Sequence, residues 1–488
     1  MRLSLSQLPA LKADQRPAYQ PESHGVGILH IGLGAFHRAH QAAFTDTALG
    51  AAGGDWRIAS VSLRSVQTVE GLAPQDGLYT LIERGAEGDQ ARVIAAIAQA
   101  IAATQDPEAV LRLMARPEIR VVTLTVTEKA YGIDRTAMDI DADHPAVSAD
   151  LKAPEAPSGV LGLLVEGLRR RRASGHPPPA ILCCDNLPEN GVLLCAGVVG
   201  FARRIDPDLA DWIARTVAFP SSMVDRITPA ATDETRARAL ALTGFDDAAA
   251  IETEPFTQWV IEDNFPLGRP AWEEGGAIFV KDVAPFERMK LRMLNGAHSL
   301  IAYAGFIAGY RYVRDAMTDP QLAALVDRHI RAAARTVGAL PGIDLDSYRQ
   351  DLITRFANPS IAHETYQIAM DGTQKLPQRI LAPAQNALAE GQDIAPYAFA
   401  TAAWMRYATG RDDQGATYEL RDPRAEELAQ AVKEAGRDPV ALYARFAALP
   451  HLFPDALGRN PAFREEVISR LALMLKDGMA AAIAKEAT

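Results

Sequence analysis

Apolar residues fall in two different rhythms along the 488-residue chain. Over the first 285 residues, short and nearly continuous apolar runs alternate with segments of helical spacing. The runs are Val26–Ile31, Arg57–Ser62, Leu78–Ile82, Val93–Ile97, Ile119–Val126 and Ala180–Cys184. Runs of this length read as strands, and the β-branched, nearly continuous run Ile119–Val126 suits a buried parallel strand. Helical spacing predicts helices over Pro107–Ala115, Gly159–Ser174, residues 192–202 and residues 231–250. From Phe286 the alternation stops, and long helical patterns with short breaks run to the end. The chain therefore divides into an α/β domain over residues 1–285 and a mainly helical domain over residues 286–488. Three stretches are expected at the surface. Residues 1–24 are polar and proline-bearing, an arm; residues 134–157 are an excursion; Arg169–Arg172 are the solvated last turns of a helix, where cations suit the dipole.

The first strand runs straight into Gly32-Leu-Gly34-Ala-Phe36-His37-Arg38. A strand ending in Gly-x-Gly before a helix suits a dinucleotide pyrophosphate, because the glycines let backbone approach and the helix N-terminus offers unpaired N–H groups. His37 stands where the usual fingerprint has a third glycine, so the motif alone leaves a plain turn open. In this context the fold class expected is α/β: a Rossmann-like dinucleotide-binding N-terminal domain followed by a mainly α-helical C-terminal domain. The second strand ends in Ser62-Leu63-Arg64, where an acidic residue would select NAD. Arg64 could hold a 2′-phosphate, stack on adenine or lie solvated, so NADP is not excluded. Later strands end in Thr127-Glu128 and in Asp185-Asn186, and polar groups at strand carboxyl ends belong to a ligand crevice. Asn190-Gly191 reads as turn chemistry.

The chemistry-bearing stretch is Lys290-Leu-Arg-Met-Leu-Asn295-Gly-Ala-His298. On one α-helix Asn295 and His298 share a face, and Lys290 lies about 80° away around the axis. A lysine can exchange a proton with a hydroxyl carbon's oxygen, a carboxamide can hold an alkoxide, and an imidazole can orient a second hydroxyl. Taken alone, these three residues would equally describe a solvated helix face. Downstream, Asp371-Gly-Thr-Gln-Lys375-Leu-Pro-Gln-Arg379 is a polar island that offers two cations.

Charge and cysteine use narrow the class. A net charge of -11 disfavours nucleic acid and anionic membrane as partners. Cys183, Cys184 and Cys195 are too few for a disulfide framework, which points to a reducing, cytoplasmic compartment. The longest apolar run, Val192–Ala202, is too short to cross a bilayer.

Together these residues resemble the mannitol dehydrogenase family, the polyol-specific long-chain dehydrogenases/reductases. The carriers are His30–His40, Thr123–Glu128, Cys184-Asp-Asn186, Met223-Val-Asp225-Arg-Ile-Thr-Pro229, Glu254–Asn264 and the Lys290, Asn295, His298 constellation. Within the family, Pro285–His298, Gln367–Arg379 and Trp404–Tyr407 are most similar to the branch that interconverts D-fructuronate and D-mannonate. Mannitol 2-dehydrogenases are similar almost as closely, but tend to carry arginine where this chain has Gln367. The resemblance implies zinc-independent hydride transfer with NAD(H), no metal, and a monomer acting on a small sugar acid or polyol. It implies Lys290 as general acid/base, Asn186 and Asn295 as an oxyanion clamp, and His298 and Asp225 as hydroxyl positioners. Glu287 and Glu128 match acidic positions near the site, Glu287 as a proton relay. Gly32, Gly34, Phe36, His37 and Arg38 match the pyrophosphate turn. A uronate needs a cation for its carboxylate, and Lys375 and Arg379 are the candidates.

Overall fold

The computed structural model describes residues 1–488 and contains two compact units, Met1–Ala284 and Pro285–Thr488. The first is built on a five-stranded parallel sheet. Its strands are β1 (Val26–Ile31), β2 (Arg57–Ser62), β3 (Ile97–Ala102), β4 (Val121–Leu124) and β5 (Ala180–Cys183). Their spatial order is β3-β2-β1-β4-β5, so the chain reverses direction across the sheet between β1 and β4. In open α/β sheets a ligand crevice forms outside the strand carboxyl ends at such a reversal. The apolar runs have no polar phase because the pleat sends alternate residues into two different cores. Leu29, Ile31, Val122, Leu124 and Ile181 pack with Val110, Met114, Leu164, Val198 and Phe201 of the helices on one face. Ile28, Val121 and Leu182 pack with Phe44, Trp259 and Trp272 on the other.

Several expectations need correction. The run Val93–Ile97 is not one strand: Gly88–Ile94 belongs to a hairpin with Tyr79–Gly85, and Ile97 opens β3. The ladder breaks there because side chains take the backbone groups of Ala95: Asp46 accepts its N–H at 2.8 Å and Arg57 donates to its carbonyl at 3.2 Å. The N-terminal arm does not merely lie on the surface. Leu3 and Leu11 are buried against Leu78, Val93, Ala95 and Phe245, and Tyr19 donates to Asp46. Residues 134–157 include a helix, Pro145–Lys152, whose buried Asp150 accepts the N–H groups of Ser158 and Gly159 ahead of the next helix.

The arginine run is the largest departure. Arg169 and Arg170 both bind the buried Glu166 carboxylate, and Arg172 lies over the Trp212 ring. Arg171 is fully buried and donates to the carbonyls of Met114, Arg116 and Pro177. Met114 belongs to the helix Pro107–Ala115 and Arg116 is its C-cap, so this guanidinium satisfies carbonyls that a helix end leaves unpaired.

The second unit is helical, around the buried helix Gly296–Ile307, which packs against Pro320–Val337, Thr365–Ala369 and Ala395–Tyr407. Two of its turns are π-helical, Lys290–Asn295 and Pro377–Leu381, and they pack against each other. No helix of the structure is long and apolar enough to cross a membrane.

Candidate functional site

The first unit's site is set by the crossing from β1 to β4. Gly32 sits at φ +114°, and a Cβ there would lie 2.0 Å from the Thr125 carbonyl oxygen. Glycine is therefore required by this backbone and its neighbour. Gly34 is different: a Cβ there would find nothing nearer than the Gly32 carbonyl oxygen at 3.8 Å. The chain's own packing does not ask for glycine at 34. Gly34 is also the N-cap of Ala35–Ala39, and it brings no side chain to the first N–H groups. A bare N-terminus above an uncrowded glycine is the cradle an anionic phosphate fits.

The turn is held from beneath by histidines. His30 Nδ1 bonds Thr123 Oγ1 at 2.8 Å, and its Nε2 lies 3.0 Å from both the Gly32 carbonyl and Thr125 Oγ1. His37 stacks on His30 with ring centroids 3.3 Å apart. Burial pushes the His30 pKa down to about 3, and His37 is likewise held well below the usual histidine range by burial and then by His30. Both rings are thus neutral. The expected cofactor contacts of this turn are redistributed accordingly. The His37 side chain faces the protein interior. Arg38 donates to the Gly34 and Ala249 carbonyls and lies over the Tyr79 ring, so its guanidinium braces the turn. Phe36 is half-buried and stacks on His40 at 5.1 Å. Arg64 is exposed at the end of β2.

At the neighbouring strand ends, Asp185 accepts the backbone N–H groups of Val126 and Thr127 and the Tyr131 hydroxyl. This carboxylate fixes the loop after β4 and leaves the adjacent Asn186 exposed beyond β5. Thr127 is held there at φ +78°, a strained setting for a β-branched residue. Glu128 is exposed and pairs with Arg135 at 2.7 Å. Asn190 is more than a turn residue: it opens the helix Asn190–Ile205, and its carboxamide exchanges hydrogen bonds with the Ser222 backbone, tying that helix start to the strand Ser222–Asp225 that ends in the buried Asp225.

The second unit brings Lys290, Asn295 and His298 together, but not on one α-helix. The first two lie in the π-turn and His298 lies on the following α-helix. A π-turn carries an extra residue, and such turns concentrate at functional sites. All three side chains are nine-tenths buried. Glu287 stands on the short helix just before Lys290. Asn295 Nδ2 and His298 Nε2 are buried without a hydrogen-bond partner. Buried polar atoms normally have one, and two orphans three residues apart mark where a ligand's oxygen atoms are expected. His298 is neutral: burial holds its pKa well below the usual range, helped by His363, Arg355, Arg379 and Lys290.

Arg355, Phe356 and His363 were not foreseen. The Phe356 ring lies 4.6 Å from that of His298, and the His363 ring 5.4 Å away at 84°. Arg355 is buried on the last turn of Leu345–Phe356. Nothing in the sequence set Arg355 apart from other helix-end arginines, because its burial is visible only in the fold. The two expected substrate cations differ. Lys375 donates to the Met370 and Ile368 carbonyls at 2.6 and 3.4 Å. Arg379 reaches Ser299 Oγ, next to His298, at 3.3 Å.

The neutral histidines give a pH dependence. A folded pKa near 3 against the ordinary 6.5 means that the unfolded chain binds more protons in that window. Stability is therefore full above pH 6.5 and falls as the pH drops towards 3. Urea midpoints measured from pH 8 to pH 4 should be flat at first and then decline; a flat profile throughout would contradict neutral buried histidines.

Comparison with known proteins sharpens the reading. The mannitol dehydrogenase Rossmann domain matches residues 26–274, and the mannitol dehydrogenase C-terminal domain matches residues 282–475. D-mannonate oxidoreductase of Escherichia coli K12 is 42% identical over 454 residues, covering 92% of this chain and 93% of that protein. A mannitol 2-dehydrogenase of Phaeosphaeria nodorum is 36% identical over 496 residues, covering 100% of this chain and 86% of that protein. Among solved structures, Pseudomonas fluorescens mannitol 2-dehydrogenase in complex with NAD and D-mannitol superposes with a TM-score of 0.84 at 36% identity, covering 99% of both chains.

Proposed function

The chain belongs to the mannitol dehydrogenase family of oxidoreductases acting on CH–OH groups, and from that premise we propose that it reduces D-fructuronate to D-mannonate, reversibly, with NADH. The observation that carries the reading is the trio of Lys290, Asn295 and His298, with a buried amide nitrogen and a buried ring nitrogen that have no partner in the protein. The likeness to D-mannonate oxidoreductase supports the sugar acid, and the likeness to a mannitol 2-dehydrogenase holding NAD supports the cofactor. We assign the nicotinamide dinucleotide's pyrophosphate to the turn at Gly32 and Gly34, where the uncrowded Gly34 fits it. When bound, the nicotinamide ring supplies or accepts the hydride.

The proton chemistry belongs to this chain. In reduction, hydride reaches carbon 5 of the ketone, and the Lys290 ammonium gives a proton to the alkoxide oxygen that forms. In oxidation, the Lys290 amine takes the proton of that hydroxyl as hydride leaves. In place of a metal, the amide of Asn295 and the lysine itself polarise the carbonyl. Neutral His298 can hold a neighbouring hydroxyl without adding charge. Glu287, three residues before Lys290, is the relay between the lysine and water. The substrate's carboxylate falls to Lys375 or Arg379. The protein acts as a cytoplasmic monomer. The runner-up is a polyol dehydrogenase acting on D-mannitol or D-arabinitol, which the mannitol 2-dehydrogenase relatives favour.

Steady-state oxidation of NADH with D-fructuronate and with D-fructose separates the two. The proposal expects kcat/KM at least about a hundredfold higher for fructuronate, roughly 2.7 kcal/mol of discrimination. A preference for D-fructose would move the chain to the polyol reading, and activity with NADPH in place of NADH would revise the cofactor. Lys290→Ala should lose at least about a hundredfold in kcat, the low end for removing a general acid/base; near-full turnover would overturn the mechanism.

The two glycines test the cofactor site. Gly34→Ala should fold normally and weaken NADH binding at least about tenfold, about 1.4 kcal/mol. Gly32→Ala should instead impair folding. Equal NADH affinity in the Gly34 variant and the parent, read by fluorescence titration, would remove the pyrophosphate from this turn.

A further inference from the structure

The expectation of two cations for a carboxylate leaves open which one reads it, and the second unit distinguishes them. We infer that Arg379, held on a π-turn and oriented by Ser299, is the residue that recognises the carboxylate of an anionic sugar-acid substrate. This rests on the proposed sugar-acid reading and narrows it to one side chain.

Three observations carry it. First, the placement: Arg379 lies in the π-turn Pro377–Leu381, which packs directly against the π-turn that carries Lys290 and Asn295. The contact is close enough that a Cβ on Gly296 would lie 3.0 Å from the Arg379 carbonyl oxygen, so the backbone of this arginine is fixed against the residue that follows Asn295. Second, the orientation: Arg379 Nη1 reaches Ser299 Oγ at 3.3 Å, and Ser299 is buried next to His298. The guanidinium thus lies on the same helix start as the two orphan nitrogens. A guanidinium presents five N–H donors in a planar fork that matches the two oxygens of a carboxylate. Third, the contrast with Lys375: its ammonium donates to the Met370 and Ile368 carbonyls and lies 4.0 Å from the Asp371 carboxylate. With three donors at most, Lys375 ties its own segment and is the poorer reader of a carboxylate.

The surroundings agree. Lys290, Arg355 and Arg379 are among the groups that act against a proton on His298, so that ring has cations for neighbours.

The test uses the whole protein saturated with NAD. D-mannonate and D-mannitol are titrated by calorimetry against the parent, Arg379→Met, Arg379→Lys and Ser299→Ala. The parent should bind mannonate at least about thirtyfold more tightly than mannitol. Arg379→Met should remove most of that ratio; Arg379→Lys, which keeps the charge but loses the fork, should keep part of it. Ser299→Ala should lower the ratio without abolishing it. The ratio is the readout because a general loss of fold or affinity lowers both ligands alike. A parent that does not prefer mannonate would overturn both the sugar-acid reading and this assignment. A parent that prefers mannonate, with the preference intact in Arg379→Met, would overturn the Arg379 assignment alone.

Discussion

The site in the second unit depends on one close approach, the Arg379 carbonyl against Gly296. A side chain there would be tight, because a Cβ would lie 3.0 Å from that oxygen and also 3.0 Å from His329 Nε2. A glycine lets the two π-turns pack together without displacing either neighbour. That packing sets Lys290 and Asn295 on one side and Arg379 on the other, next to the helix that carries His298 and Ser299. The buried helix Gly296–Ile307 then makes the arrangement rigid, since most of its residues are buried and it packs on three other helices. Rigidity matters chemically, because a proton-transfer group and an oxyanion donor work only when they are already placed.

The first unit solves a related problem with a glycine contact of its own, Gly32 against the Thr125 carbonyl, and with neutral rings beneath the turn. The turn after β1 must bring bare backbone N–H groups to a crevice, and the space beneath it must be filled. His30 and His37 fill that space while uncharged, and His30 links the turn to β4 through Thr123 and Thr125. Asp185 does the same for the next loop by accepting its backbone N–H groups. In both units polar side chains aimed at backbone fix the loops, and the residues assigned to chemistry stand beside them.

Much of this was legible in the sequence. Four of the six apolar runs became strands of the doubly covered parallel sheet, and the change of rhythm at Phe286 lies beside the division between Ala284 and Pro285. The strand-turn-helix at Gly32 and the cluster from Lys290 to His298 stood out as candidates. The failures have a common cause. Arg171 was expected as a solvated charge and Arg38 as a cofactor contact, but each satisfies backbone groups, Arg171 at a helix end and Arg38 at a turn, as the unforeseen Asp46 does at a strand break. Which carbonyl lies within reach of a guanidinium is a tertiary fact that periodicity does not encode. The π-turn was hidden for a similar reason, since one inserted residue changes the phase of a helix without changing its composition. Arg355 and His363 are far from Lys290 in sequence, and only the fold brings them around His298.

The most direct test of the account is a crystal structure of the protein with NAD and D-mannonate. The account predicts the carbon-5 hydroxyl within hydrogen-bond distance of Lys290 Nζ, with Asn295 Nδ2 and His298 Nε2, the two nitrogens without partners here, each about 3 Å from a substrate oxygen. A bound sugar acid that leaves both nitrogens without a partner, or that places its reacting carbon away from Lys290, would contradict it.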